Sequence, residues 1–434
     1  MELFSTLHQS PNVRLEEAVF RGLPPDNGLY VPVSIPKLPD DFFSRIDKLS
    51  FQEIAFEVSK ALIGSEIPAN VLREIVYEAI NFDAPLVQLE ENIYVQELFH
   101  GPSLAFKDFG ARFMARLMSY FLSKKNREVN ILVATSGDTG GAVALGFLKT
   151  PGINVTILYP SGKVSNLQEK QLTTLDNNIT ALEINGTFDD CQRLVKQAFL
   201  DDELSKRLNL SSANSINIAR LIPQSFYYFY AYSKVKKYNK PLVSSVPSGN
   251  FGNLTAGLIA YKMGLPVKHF VASTNANDVV PEYLETGIFK ARPSVHTLSN
   301  AMDVGNPSNY PRMTSLFDND ITKLREMLTG YRFTDKETTE AIEKVYKDIN
   351  YIMCPHTAVA YLGLKKHIGD NSMITGVFLS TAHPAKFIDV LDRKIADKIT
   401  LPESLQNMLN KKKKSVELGK DFEGLKNYLL SGKN

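Results

Sequence analysis

The stretch Phe99-His100-Gly101-Pro102-Ser103-Leu104-Ala105-Phe106-Lys107-Asp108-Phe109-Gly110 sets one amine, that of Lys107, among aromatic and apolar neighbours, with glycine-bearing turns on either side. Withdrawing an ammonium from water disfavours its charged form, so the pKa falls and free amine becomes available near neutrality. A free, desolvated amine is what a lysine needs to condense with an aldehyde. Standing alone among 49 lysines and arginines, Lys107 would read as one more surface cation with a snorkelling stem. Three further stretches supply what an aldehyde cofactor requires.

Each of the three follows a predicted strand, where ligands of open α/β sheets bind. Thr135-Ser136-Gly137-Asp138-Thr139-Gly140-Gly141 combines hydroxyls, flexible backbone and a helix start, an anion cradle suited to a carboxylate or phosphate. It lacks the Gly-Lys-Ser/Thr ending of a nucleotide P-loop, and a capped structural turn accounts for it equally. Pro247-Ser248-Gly249-Asn250-Phe251-Gly252-Asn253 carries glycines and asparagines that allow positive φ and expose consecutive amide N–H groups. Aligned with a helix dipole, those amides would hold a dianionic phosphate without a lysine. Ser380-Thr381-Ala382-His383-Pro384 offers hydroxyls able to hydrogen-bond a heteroaromatic nitrogen without protonating it. His383 has no charge partner in view, and Pro384 beside it suits a helix-start turn, so His383 reads as structural.

Strands and helices must hold these loops in place. Residues 1–90 read as a mainly helical region with short extended pieces; helical spacing is clear over 51–63 and 69–80. From about 95, strands alternate with helices: strands over 129–135, 155–159, 179–184, 242–246, 267–273 and 373–380. Helices are expected over 142–149, 167–175, 189–200 and 254–263, with another starting near Ala385. Apolar strands alternating with amphipathic helices imply an α/β fold with mostly parallel sheets covered on both faces. We expect two α/β lobes, 95–220 and 240–390, within a catalytic region 91–390, and a cleft between them. Residues 391–434 are expected to form a helical extension.

The bulk numbers fit that picture. At 434 residues the chain exceeds what one core supports, so several domains are expected. A net charge of +2 gives no sign of nucleic-acid or membrane-surface binding, and the 411–414 lysine run reads as a solvated face. Cys191 and Cys354 lack metal or redox spacing and read as buried, inert thiols in a reducing compartment. No stretch reaches the ~18 apolar residues of a membrane helix, and the first residues do not resemble a signal peptide. A cytoplasmic protein is expected.

Taken together and in this order, these pieces resemble the threonine synthases, a family of fold type II pyridoxal-phosphate enzymes. The likeness also includes Gly28-Leu29-Tyr30-Val31-Pro32, Asn214-Ser215-Ile216-Asn217, Ser299-Asn300-Ala301-Met302-Asp303 and Thr381-Ala382-His383-Pro384-Ala385-Lys386-Phe387. Dehydratases and cysteine synthases of the same fold typically lack both the Phe99–Gly110 stretch around Lys107 and this last motif. The resemblance implies that Lys107 carries pyridoxal 5'-phosphate as a Schiff base. Gly249, Asn250, Phe251, Gly252 and Asn253 would hold the cofactor phosphate, and Thr381 would meet the pyridine nitrogen. Thr135, Ser136 and Thr139 would receive the substrate carboxylate. Relatives often place asparagine against the cofactor's ring hydroxyl where this chain has Asp138, an acceptor when ionised.

The resemblance further implies conversion of O-phospho-L-homoserine and water into L-threonine and phosphate, by γ-elimination and β-addition of water. Arg112, Lys163, Arg220 and Arg312, with Ser161, Asn214, Ser215 and Asn217, are the candidate partners of the substrate phosphate. A dehydratase or β-replacement enzyme acting on serine or threonine would share the lysine and the phosphate loop; a small-molecule sensor could keep the cleft without catalysis. Oligomeric state, monomer or dimer, stays open.

Overall fold

The computed structural model describes residues 1–125 and 127–432. Two parallel sheets dominate, as the alternation of apolar strands and helices requires. In the first, strands run in the order Val416–Leu418, Ile179–Ile184, Ile153–Pro160, Val129–Ala134 and Leu210–Ser211, all parallel. In the second the order is Leu328–Arg332, His269–Thr274, Leu242–Pro247, Thr375–Ser380, Ile93–Glu97 and Leu86–Glu90. Every pair there is parallel except the last. Leu242–Pro247 and Thr375–Ser380 are buried along their whole length, which explains their lack of polar alternation. A small antiparallel sheet, Val13–Arg14 with Glu2–Ser5 and Tyr30–Pro32, starts the chain.

Strand order is not chain order, and segments expected to lie apart join the sheets. Leu86–Glu90 and Ile93–Glu97 form a hairpin on the edge of the second sheet, Ile93–Glu97 pairing with Thr375–Ser380. The C-terminal segment is not helical throughout: Val416–Leu418 extends the first sheet beside Ile179–Ile184. The 411–414 run is correspondingly not a simple solvated face. Lys413 is half-buried and bridges Glu169 at 2.7 Å and Glu183 at 2.6 Å, while Lys414 meets Asp176 at 2.6 Å.

Two helices begin earlier than expected because their loops are already the first turn. Thr135 Oγ1 accepts from the N–H groups of Gly137 (3.0 Å) and Gly140 (2.9 Å), so the helix starts at Asp138 and runs to Phe147. Phe251, at φ 59°, turns the chain into Gly252–Lys262. The segment after Ala385 is a 3-10 turn, Pro384–Val390, with a kink at Phe387.

The N-terminal region packs on the helix that begins with Lys107. Phe109, fully buried, touches Phe51, Phe82 and Tyr227 with ring centroids 5.8, 4.8 and 5.5 Å apart. Phe109→Ala removes that junction and is expected to destabilise the protein by about 3–5 kcal/mol, seen as a lower urea midpoint. An unchanged midpoint would show that the ring does not hold these layers together.

Candidate active site

The loop before Lys107 is sewn to the end of the second sheet's central strand. Ala105 forms a β-bridge with Ala382, the Phe106 N–H donates to Thr381 O at 2.8 Å, and the His383 N–H to Leu104 O at 3.1 Å. Leu104 turns the loop with a φ of 57°. Asp108 accepts the Ser103 N–H at 2.9 Å, closing the loop on itself. Gly101 has no room for a Cβ, which would fall 2.5 Å from Asp108 Oδ2. Lys107 therefore opens the helix Lys107–Leu122 with its amine aimed into the cleft beside Thr381.

One cleft is lined by Lys107, Asp138, Thr139, Ser215, Arg220, residues 249–253 and Thr381. Lys107 is exposed only in part. Burial pushes its pKa down to about 8, with Asp138 opposing and Lys386 and Arg220 adding to the fall. Burial would raise the Asp138 pKa. The charges of Lys386 and Lys107, with hydrogen bonds from Lys386 (2.6 Å) and Gln168 Nε2 (3.0 Å), outweigh it and hold the carboxyl well below the usual range. Asp138 is thus a carboxylate, an acceptor only.

The 249–253 loop is shaped for an anion. Asn253 Nδ2 donates to Pro247 O at 2.9 Å, and Asn250 Oδ1 accepts from Ser308 N (3.2 Å) and Oγ (3.0 Å). A Cβ on Gly249 would lie 2.8 Å from Met302 Cα, so only glycine fits. Among the described residues no protein acceptor takes the backbone N–H groups of 249–253. Beside them, the buried Asn309 Nδ2 also lacks a partner. These free donors at a helix start, the depressed amine and the Thr381 hydroxyl fit pyridoxal phosphate: an aldehyde, a phosphate and a pyridine nitrogen.

The remaining sequence candidates divide. Arg220 is buried and lines the cleft; its Nη1 donates to Ala213 O, its Nε has no partner, and burial lowers its pKa to about 10, with Asp108 opposing. Arg112 instead caps a helix, donating to Glu78 O (2.6 Å), Ala79 O (2.9 Å) and Asn81 Oδ1 (2.8 Å). Arg312 is fully buried behind the loop, bound to Tyr30 O, Asn309 Oδ1 and Ile216 O. Ser161 donates to Glu183 and Lys163 is exposed, neither lining the cleft. Asn217 caps Ile218–Leu221 and donates to Val19 O and Ser212 O. Asn214 is half-buried without lining the cleft. Thr135 orders its own loop, and Ser136 is exposed on it.

His383 caps the 3-10 turn, its Nδ1 accepting from Ala385 N at 3.1 Å. Cys191 and Cys354 are free and buried, and burial pushes the Cys191 thiol up to about 12.

Sequence reasoning did not single out Gln224 or His356, which also line the cleft; Ala301 and Met302, from the Ser299–Asp303 motif, line it too. His356 is buried, its pKa lowered by burial to about 4, and its Nε2 accepts from Ala301 N at 3.2 Å. It holds the 301–302 segment against Gly249. Its one sequence signal is a polar residue early in an apolar helix, Pro355–Ile368.

Comparison with known proteins gives the same picture. Three family models match: pyridoxal-phosphate-dependent enzyme over 79–378, threonine synthase N terminus over 2–80, and threonine synthase C-terminal over 357–429. The threonine synthase of Haemophilus influenzae is 47% identical over 431 residues, covering 99% of this chain and 100% of the relative. That of Escherichia coli is 44% identical over 432 residues, again covering 99% and 100%. The crystal structure of the Escherichia coli threonine synthase superposes with a TM-score of 0.91 at 42% identity, over 99% of this chain and 100% of that one. The pyridoxal-phosphate-bound threonine synthase of Brucella melitensis gives 0.93 at 34%, over 99% and 98%. Maize serine racemase, 14% identical with a TM-score of 0.55 over 72% of this chain and 92% of that one, shares the fold. With an amine and a loop of free N–H groups lining one cleft, and relatives matched from end to end, this chain belongs to the threonine synthase family of pyridoxal 5'-phosphate-dependent enzymes.

Proposed function

We propose that the chain converts O-phospho-L-homoserine and water into L-threonine and phosphate, with Lys107 as the cofactor-bearing amine and then the proton carrier. The observation that carries this reading is that the Lys107 amine, its pKa lowered to about 8, lines one cleft with the free N–H groups of the 249–253 loop. When bound, pyridoxal 5'-phosphate supplies a conjugated ring that stabilises negative charge at the substrate α-carbon. Residues 249–253 anchor its phosphate, and Thr381 offers the ring nitrogen a neutral hydroxyl.

Lys107 Nζ, displaced by the substrate amine, takes the Cα proton as a positioned base. A second proton leaves Cβ as phosphate departs from Cγ; a proton returns to Cγ, water gives its hydroxide to Cβ and releases a proton, and Lys107 returns the proton to Cα before its amine displaces threonine. Thr139, with Ser136 and the helix start behind it, orients the substrate carboxylate. Arg220, whose Nε is unpartnered, and Ser215 receive the substrate phosphate; they are favoured over Arg112, Lys163 and Arg312 because they line the cleft. The protein works without nucleic acid, in a reducing cytoplasm where its two buried thiols stay free.

Lys107→Ala is expected to lower threonine formation from phosphohomoserine by roughly 10³-fold or more and to abolish borohydride-fixed cofactor on the protein. Threonine formation near the wild-type rate, or keto acid from serine as the main product, would overturn the reading. Arg220→Lys is expected to lower kcat/KM about 10–100-fold while the cofactor stays bound, as loss of a forked charge contact would; unaltered kinetics would strike Arg220 from the phosphate site. The pH dependence has a definite sign. A lowered lysine pKa means free amine above about 8, so capture of cofactor by the apoenzyme should rise with pH and level off above that value. A rise that continues toward 10 would mean an ordinary, solvated lysine.

A further inference from the structure

Lys386 is a fully enclosed lysine on the turn that follows the second sheet's central strand, its side chain 0% exposed. Its ammonium lies 2.6 Å from Asp138 Oδ1 and donates to Ser103 O at 2.9 Å. Asp138 comes from the first lobe's helix start, and Ser103 from the loop that delivers Lys107. One buried cation thus joins the three segments that frame the reactive amine. The Lys107 amine, by contrast, makes no hydrogen bond or ion pair among the described residues, although Asp138 lines the same cleft.

An amine held in a buried ion pair is an ammonium, and an ammonium has no lone pair with which to condense with an aldehyde. A buried carboxylate without a cation is equally unfavourable. Asp138 therefore pairs with whichever cation reaches it. We propose that Lys386 is a positioning residue for Lys107: it takes the Asp138 carboxylate into its own buried ion pair, anchored on the Ser103 carbonyl, and so keeps that carboxylate from pairing with the Lys107 amine. This rests on Lys107 being the cofactor-bearing amine.

The charges around Lys107 agree with this division. Asp138 raises its pKa, while Lys386 and Arg220 lower it. Asp108, on the same helix, is turned to the Ser103 N–H; His356, from Pro355–Ile368, is neutral with its Nε2 on Ala301 N. These neighbours are common to every variant below, so differences report the Asp138–Lys386 pair.

The test is a pH titration of the holoenzyme's visible absorbance, which changes when the nitrogen of Lys107 bound to the cofactor loses its proton. Lys386→Met leaves Asp138 facing the Lys107 nitrogen and should raise the midpoint by about one pH unit or more. Asp138→Asn should lower it. Lys386→Arg, which keeps the charge, should stay close to wild type. With Asp138→Asn already in place, Lys386→Met should move the midpoint little further, because the carboxylate it acts through is gone; this pair decides the matter if Lys386→Met alone does not fold. An unmoved midpoint in folded Lys386→Met overturns the proposal. So do shifts of the same sign in Lys386→Met and Asp138→Asn, as a purely structural role on Ser103 would give, or a double variant whose midpoint lies about one pH unit or more from that of Asp138→Asn. A wild-type absorbance that survives Lys107→Ala would instead remove the assignment of Lys107 itself, which separates the two failures.

Discussion

Removing a cation from water costs several kcal/mol unless the protein returns oxygen ligands to it, and this chain buries a group of cations around one cleft. Lys386 receives Asp138 and the Ser103 carbonyl. Arg312 receives two backbone carbonyls and Asn309 Oδ1. Arg220 receives the Ala213 carbonyl while its Nε stays free. Lys107, among the described residues, receives none. The proposed chemistry rests on that asymmetry. A nitrogen left without compensation gives up its proton most readily, and so becomes nucleophilic where its neighbours stay charged.

Holding such an amine requires a rigid mount, because a flexible lysine would swing out to water. The mount is a stitch between a loop and a strand end far apart in the chain: Ala105 against Ala382, and Phe106 N–H on Thr381 O. It fixes the backbone at the start of the Lys107 helix against that of Thr381, and both residues line the cleft. Behind it, the Phe109 cluster ties the same helix to the N-terminal region.

The terminal segments reach the cleft indirectly. Arg312 joins Tyr30 of the small N-terminal sheet to Asn309, whose N–H donates to Asn250 O. At the other end, Lys413 clamps Glu169 and Glu183. Glu169 shares the helix Asn166–Thr173 with Gln168, which donates to Asp138. Hydrogen bonds and ion pairs thus connect both tails to the loops around the cleft, although neither tail lines it.

What the sequence determined by itself was local. Apolar strands alternating with helices, the apolar setting of Lys107 and the asparagine–glycine turn at 249–253 are short-range patterns, written in residues a few positions apart. The tertiary structure decided which distant groups meet. Arg112 and Arg220 look alike in sequence, each an arginine near a helix start or turn, yet one caps a helix and the other lines the cleft. Asp138 looked like an acid in place of an amide until Lys386 was found 2.6 Å away. His356 carried no spacing to betray it, and the Ser299–Asp303 motif gave no sign that Met302 packs against Gly249. Even the edge strand Val416–Leu418 and the hairpin Leu86–Glu97 took their places by pairing with strands remote in the chain. The reason is physical: propensity and periodicity act along the chain over a turn or two, whereas ion pairs and desolvation act through space over a few ångströms. Only folding converts one kind of distance into the other.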